Sequence, residues 1–298
     1  MKKRLTRSLA AAAVLAAAIL AVHGPVVYGS KDVRQRAPAG QLLRVTFFSP
    51  ALEQRRAYLI YLPPGYAAAA ARGQRFPVFY FLHGSPASPT SVVNGARLVA
   101  NYDVLLHAHR IRPFLMVMPD GRNGTQTSDT EWANTRHDGR YASFVMDVVH
   151  AVDARWATIP QRQDRMIAGF SEGAYAALNL SLHDLATFGS LEAWSGYTSE
   201  SDTAGPFARE PLALIHANEP NLYLQQVAGE VRRMGLRAYL YTGKSDSSRR
   251  QVAAYARELR AAGAKVTFTV FPGGHNWRVW RAHSMLMVEW ASKVLSSS

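Results

Sequence analysis

Arg165-Met166-Ile167-Ala168-Gly169-Phe170-Ser171-Glu172-Gly173-Ala174-Tyr175-Ala176-Ala177 is the stretch whose reading decides the fold. Arg165 to Ala168 is a short apolar run of strand type, and Ala174 to Leu182 is rich in alanine and leucine and predicts a helix. Between them Gly169-Phe170-Ser171-Glu172-Gly173 fits G-x-S-x-G. A strand, a sharp turn with serine at its tip and then a helix form a nucleophile elbow. The two glycines lack Cβ atoms, so strand and helix can approach closely around a strained turn. The unpaired N–H groups at the start of the helix favour negative charge beside Ser171. A bare G-x-S-x-G is common; the flanking strand and helix carry the inference.

Outward from the elbow, strand and helix patterns alternate. Leu42 to Phe48 and Arg55 to Leu62 predict an antiparallel pair at a sheet edge, closed by Pro63-Pro64-Gly65. Ala67 to Gln74 is expected to be a surface loop. Phe76 to Leu82 and Phe114 to Met118 are continuous apolar runs, the pattern of strands buried on both faces. Val92 to His109 predicts one helix and Tyr141 to Trp156 another. Gly189 to Trp194, Leu236 to Tyr241 and Lys265 to Phe271 complete the strands, with helices expected over 248–262 and 279–295. Residues 197–235, interrupted by Pro206, Pro211 and Pro220, are expected to form a small helical cap over the site. The expectation is a single α/β domain with a mostly parallel, doubly wound sheet.

Three chemically capable residues then fall at strand ends in the order Ser171, Asp246, His275. The carboxyl ends of parallel strands are where sites form in such sheets. Histidine takes and returns the serine proton, and the acid holds the imidazole tautomer. Asp246 in Ser245-Asp246-Ser247-Ser248 also suits a helix cap, and Glu219 is the next candidate for the acid. His83-Gly84-Ser85 follows a buried strand; the N–H groups of Ser85 and Glu172 are the candidate oxyanion donors. His83 is expected to pack rather than react, and Asp120 in Pro119-Asp120-Gly121 to serve a turn. Glu131 and Trp132, in the long loop 121–140, and Trp277 and Trp280, beside His275, are candidate substrate-binding residues. A zinc site is the other use of such histidines, but no H-E-x-x-H or paired-histidine spacing supports it and no cysteine is present, so neither metal nor cofactor is expected.

Four stretches resemble one family: Tyr80-Phe81-Leu82-His83-Gly84, the elbow, Thr242-Gly243-Lys244-Ser245-Asp246 and Gly273-Gly274-His275-Asn276-Trp277. They look like the "Putative esterase" family of the α/β-hydrolase fold, which holds esterase D, enterochelin and feruloyl esterases and the mycolyltransferases. The resemblance covers most of residues 42–295 and implies metal-free serine acyl transfer. The spacing of His275, Trp277 and Trp280 is similar to the mycolyltransferases, but those use Glu as the acid where this chain has Asp246. The expected activity is that of a serine carboxylesterase-like acyl hydrolase working through an acyl-enzyme. The alternatives are an acyltransferase serving a sugar or lipid acceptor and a non-catalytic envelope-binding protein that kept the fold.

Met1 to Arg7 is basic and Leu9 to Val22 unbroken and apolar, and Val27-Tyr28-Gly29 offers small residues ahead of Ser30. Residues 1–29 are therefore expected to be a signal peptide, with an uncleaved anchor as the alternative, and 30–298 the α/β-hydrolase domain. That predicts an exported protein of the periplasm, cell envelope or medium. The net charge of +13 lies mostly outside the leader. It predicts association with anionic membrane or wall surfaces. The arginines are scattered and no nucleic-acid motif is present, so nucleic acid is not an expected partner. The expected partner is an acyl ester substrate, lipid or cell-envelope esters among them.

Overall fold

The computed structural model describes residues 40–125, 129–199 and 205–295. The expected leader, residues 1–29, lies outside them. Eight strands form one sheet: β1 (Gln41–Ser49), β2 (Gln54–Leu62), β3 (Val78–Leu82), β4 (Leu115–Pro119), β5 (Arg165–Phe170), β6 (Ser190–Trp194), β7 (Arg237–Gly243) and β8 (Lys265–Phe271). Their order is β1-β2-β4-β3-β5-β6-β7-β8. The first two joins, β1 to β2 and β2 to β4, are antiparallel; the rest are parallel. The predicted antiparallel pair is thus present, with β1 as the edge.

Strands β3, β4, β5 and β6 are buried at every position. Each is covered on both faces, which is why each reads as a continuous apolar run and not an alternating one. Alternate residues feed two cores. Tyr80, Leu82, Val117 and Ile167 face one, and Phe79, Phe81, Met116 and Ala168 face the other. The helices are α1 (Tyr66–Ala71), α2 (Pro89–Asn94), α3 (Leu98–His107), α4 (Tyr141–Arg155), α5 (Glu172–His183), α6 (Leu212–Ala217), α7 (Pro220–Met234), α8 (Arg249–Ala261) and α9 (Trp277–Leu295).

Three expectations change. Residues 67–74 are largely helix α1, in keeping with the alanine run Ala67–Ala71. The single helix expected over 92–109 is two. Helix α2 starts earlier, on a capping box at Ser88 with Pro89 behind it. The chain then turns at Arg97, whose φ of 56° is left-handed. Gly95 is required at the break, because a Cβ there would lie 2.5 Å from the Trp277 ring. Finally, only part of 197–235 is a helical insert. Helix α7 is an ordinary crossover helix, with Leu224 and Val231 in the main core. The insert proper is a single 3₁₀ turn at Gly205–Phe207 with α6, packed through Phe207 and Ile215 on Ala133 and Tyr175.

Candidate active site

The elbow forms as the glycines require. Helix α5 is buried at every position from Glu172 to Leu182, so it enters the core directly behind β5. A Cβ on Gly169 would sit 2.3 Å from the Gly173 backbone, and one on Gly173 would sit 2.2 Å from the Leu82 carbonyl oxygen. Only glycine permits this crossing of β5, α5 and β3. The turn between them holds Ser171 at φ 56° and ψ −124°, a strained conformation for a residue with a side chain. Backbone bonds hold it there. The Ser171 N–H donates to the Trp194 carbonyl at 3.0 Å, and its own carbonyl accepts from the Ala174 and Tyr175 N–H groups.

Two further loops meet at Ser171. The loop after β7 carries Asp246 and the loop after β8 carries His275. They are joined by backbone bonds from the Lys244 N–H to the Phe271 carbonyl, 2.7 Å, and from the Ser245 N–H to the Gly273 carbonyl, 2.8 Å. Gly273, at φ 112°, makes the turn possible. The His275 Nδ1 lies 3.0 Å from Asp246 Oδ2, and its Nε2 lies 2.8 Å from Ser171 Oγ. The three residues named from the sequence are therefore brought into one hydrogen-bonded line. Glu219, the second choice of acid, is elsewhere; it accepts the Ser199 hydroxyl at 2.7 Å.

The charge state of Asp246 fixes the tautomer. Burial pushes its carboxyl up, but hydrogen bonds from His275 and Ser248 outweigh that and hold it at about 2. A carboxylate only accepts, so His275 Nδ1 carries the proton and donates it. Nε2 is then free to accept the Ser171 hydroxyl proton. The capping role weighed for Asp246 is not what the structure shows: Ser248 precedes α8 and no side chain caps it, while Asp246 Oδ1 accepts the Ser248 N–H and hydroxyl at 3.1 and 2.9 Å, an Asx turn leading into the helix. The two oxygens of one carboxylate divide the two tasks. Asp246 is buried while His275 remains 38% exposed, so the imidazole can reach a substrate.

The loop after β3 closes the other side. Gly84 lies against Ser171: a Cβ on it would be 3.0 Å from Ser171 Cβ. Ser85 follows on this loop, partly exposed, within a turn closed by the Ala87 N–H on the Gly84 carbonyl. The Glu172 N–H, at the first position of α5, has no intrahelical acceptor. His83 is structural. It is buried, its Nε2 accepts the Gly121 N–H at 3.1 Å, and its Nδ1 therefore donates to the Gly84 carbonyl at 3.0 Å. Burial pulls it down to about 4, so it stays neutral.

Of the four residues expected to bind substrate, three are in the protein interior. Trp132 is fully buried, its indole N–H donating to the His83 carbonyl at 3.0 Å. Glu131 is buried and accepts the Tyr197 hydroxyl at 2.6 Å. Trp280 is buried, stacked on Phe170 at 4.7 Å and edge-on to the His275 ring at 5.2 Å, so it supports the imidazole from below. Burial of large aromatic rings outweighed their use as pocket walls. Trp277 alone is half-buried, against Phe170 and Trp280, and keeps part of its ring exposed.

Two residues near the site were not singled out from the sequence. Asn276 caps α9, its Oδ1 accepting the Arg278 and Val279 N–H groups and so fixing the exit of the His275 loop. An asparagine before Trp277-Arg278-Val279-Trp280 was the available signal. The Glu172 side chain is the other. It is buried, accepts the Thr130 N–H at 3.2 Å and leaves Oε2 without a partner. Burial, then the nearby Asp129 charge, raises it to about 8. An acid raised this way is protonated when folded and ionised when unfolded between about pH 5 and 8, so it lowers stability as pH rises through that range. Glu172→Gln is expected to remove that slope, about 1.4 kcal/mol per pH unit for one proton. Urea unfolding at pH 5.5 and 7.5 checks it; equal slopes in both proteins would contradict the assignment.

A serine at a strand-to-helix elbow of a mostly parallel sheet, with aspartate and histidine after later strands, defines an α/β-hydrolase. The family model described as "Putative esterase" matches residues 49–289, and the chain belongs to that family. Among solved structures it is similar to a ferulic acid esterase, with a TM-score of 0.77 and 19% identity over 87% of this chain and 100% of the other. It is also similar to the fluorophosphonate-binding serine hydrolase FphF of Staphylococcus aureus, with a TM-score of 0.72 and 16% identity over 85% and 99% of the two chains. Among curated proteins it is 25% identical over 166 residues to an endo-1,4-beta-xylanase/feruloyl esterase of Xylanibacter ruminicola. That match spans 53% of this chain but 22% of the longer relative.

Proposed function

We propose that the protein is an exported serine carboxylesterase in which Ser171 forms an acyl-enzyme, His275 moves the proton and Asp246 holds the histidine. The observation that carries this is the continuous line from Asp246 Oδ2 through His275 to Ser171 Oγ, 3.0 and 2.8 Å long. Ser171 Oγ attacks the ester carbonyl carbon as its proton passes to His275 Nε2. The carbonyl oxygen becomes an oxyanion, met by the N–H groups of Glu172 and Ser85, each worth roughly 3 kcal/mol when well placed. The tetrahedral intermediate collapses, the carbon–oxygen bond to the alcohol breaks, and Nε2 gives the alcohol its proton. Water then repeats the sequence: Nε2 takes its proton, hydroxide adds to the acyl carbon, and the acid leaves as the proton returns to Ser171. Asp246 stays ionised throughout and stabilises the imidazolium.

Export is supported by the basic and apolar leader. For the acyl group, the names of the similar proteins point to aromatic acids, and the half-exposed Trp277 offers an aromatic wall beside His275. An acyl chain buried against that ring gains about 0.8 kcal/mol per CH₂. The kcat/KM for p-nitrophenyl esters is therefore expected to rise several-fold per carbon from acetate to butyrate, and Trp277→Ala to flatten the rise while acetate is less affected. A wild-type preference for acetate over every longer ester would remove Trp277 from the acyl site.

A further inference from the structure

A groove of about 570 Å³ lies between the β1–β2 ribbon and the chain after β4. Arg44, Arg55, Arg56 and Arg122 line it together with a single carboxylate, Asp120. A smaller cleft of about 80 Å³ shares Arg44, Asp120 and Arg122 and reaches Pro89 and Thr90 at the start of α2. The chain after β4 is tied to the loop after β3, which passes Ser171: Gly121 bonds the buried His83, and Pro89 follows the Gly84 turn.

The basic groups are held in place. Arg122 grips Asp120 with two bonds, Nε to Oδ1 at 2.8 Å and Nη2 to Oδ2 at 2.7 Å. Burial raises the Asp120 carboxyl, but those bonds outweigh it and keep it ionised. Arg56 lies over the Tyr141 and Phe144 rings and donates to the Asp120 and Arg122 carbonyls, both at 2.6 Å. Asn123 folds the loop onward, its Oδ1 accepting from Thr125. Arg44 and Arg55 are exposed on one face of the ribbon, and among the described residues neither makes an ion pair. Arg55 bonds the Thr46 hydroxyl at 3.3 Å. Asp120 neutralises one guanidinium, so the groove keeps an excess of positive charge on a preformed surface.

We propose that this groove binds an acidic polysaccharide, the carboxylate-bearing chain to which a substrate's acyl group is attached. Guanidinium forks match carboxylates bidentately. The other lining groups are hydroxyls and amides, from Thr46, Gln54, Asn123 and Thr125, which suit a hydroxyl-rich chain. Among the described residues no aromatic ring lines the larger groove for base stacking, and no large apolar side chain for a lipid tail, so nucleic acid and membrane fit it less well. The link to a substrate rests on the esterase proposal; the binding does not.

The test is equilibrium binding of oligogalacturonate to the full chain, beside neutral xylo-oligosaccharide and inorganic polyphosphate. The wild type is expected to bind oligogalacturonate and not the neutral oligomer. Arg44→Gln with Arg55→Gln is expected to weaken that binding about tenfold while p-nitrophenyl acetate turnover is unchanged. Arg55→Glu alone should weaken it as well, which guards against misfolding of the double variant. Equal binding of the neutral oligomer, or undiminished binding by the variants, would overturn the proposal. Tighter binding of polyphosphate, lost in the same variants, would also overturn it, since the groove would then be a phosphate site. Binding is read without turnover, so its failure is distinct from a failure of the esterase proposal.

Discussion

Ser171→Ala is expected to lower kcat for p-nitrophenyl acetate by about 10⁶-fold, the scale on which loss of a serine nucleophile acts. The side chain is half-buried and its Oγ bonds His275, but the turn itself is held by backbone. Removing one oxygen leaves the bonds to Trp194, Ala174 and Tyr175 intact, so the melting temperature should change by a degree or two at most. The two results together separate a catalytic serine from a structural one. Turnover near wild type would place the chemistry elsewhere. A large loss of stability would mean that Oγ carries a packing role beyond its bond to His275.

Asp246→Asn is expected to cost about 10⁴-fold in kcat. An amide in place of Oδ2 offers donors where His275 Nδ1–H must be accepted. The imidazole then prefers its proton on Nε2, facing a hydroxyl whose proton it should receive. The amide oxygen can still accept from Ser248, so the turn into α8 survives, and the stability loss at neutral pH should not exceed the roughly 2.5 kcal/mol that the lowered carboxyl implies. pH gives a second readout. The folded Asp246 carboxyl is held down to about 2, so the stability it contributes is present above its unfolded value near 4 and is lost as pH falls through 2. The stability gap between wild type and Asp246→Asn should therefore narrow between pH 4 and pH 2. Kept activity in the variant would show that the acid is another residue, although Glu219 is engaged by Ser199 and away from the histidine.

The placement of Ser171, Asp246 and His275 was legible because it depends on local sequence. An elbow needs glycine on both sides of serine, and the Asp246 and His275 loops announce themselves by position after apolar strands. What lies around the site depends on distant residues. The break at Gly95 is filled by Trp277, far along the chain, and nothing near Gly95 signals that ring. Trp132 sits in a polar loop and suggests an exposed wall, yet it is buried because a carbonyl after β3 accepts its N–H. Helix α7 carries prolines just before it that resemble those of an insert, but its buried Leu224 and Val231 face the sheet. Glu172 looked useful for its backbone alone. Its protonated side chain is a product of burial, which composition does not show.

Ser171 is expected to become covalently acylated by the ester substrate, with His275 and Asp246 assisting. Reaction with a fluorophosphonate probe, followed by peptide mass spectrometry, tests it most directly. One phosphonyl adduct on the peptide carrying Ser171 is expected, with labelling abolished in Ser171→Ala and strongly slowed in Asp246→Asn. An unlabelled wild type, or an adduct on another residue that persists in Ser171→Ala, would contradict the account.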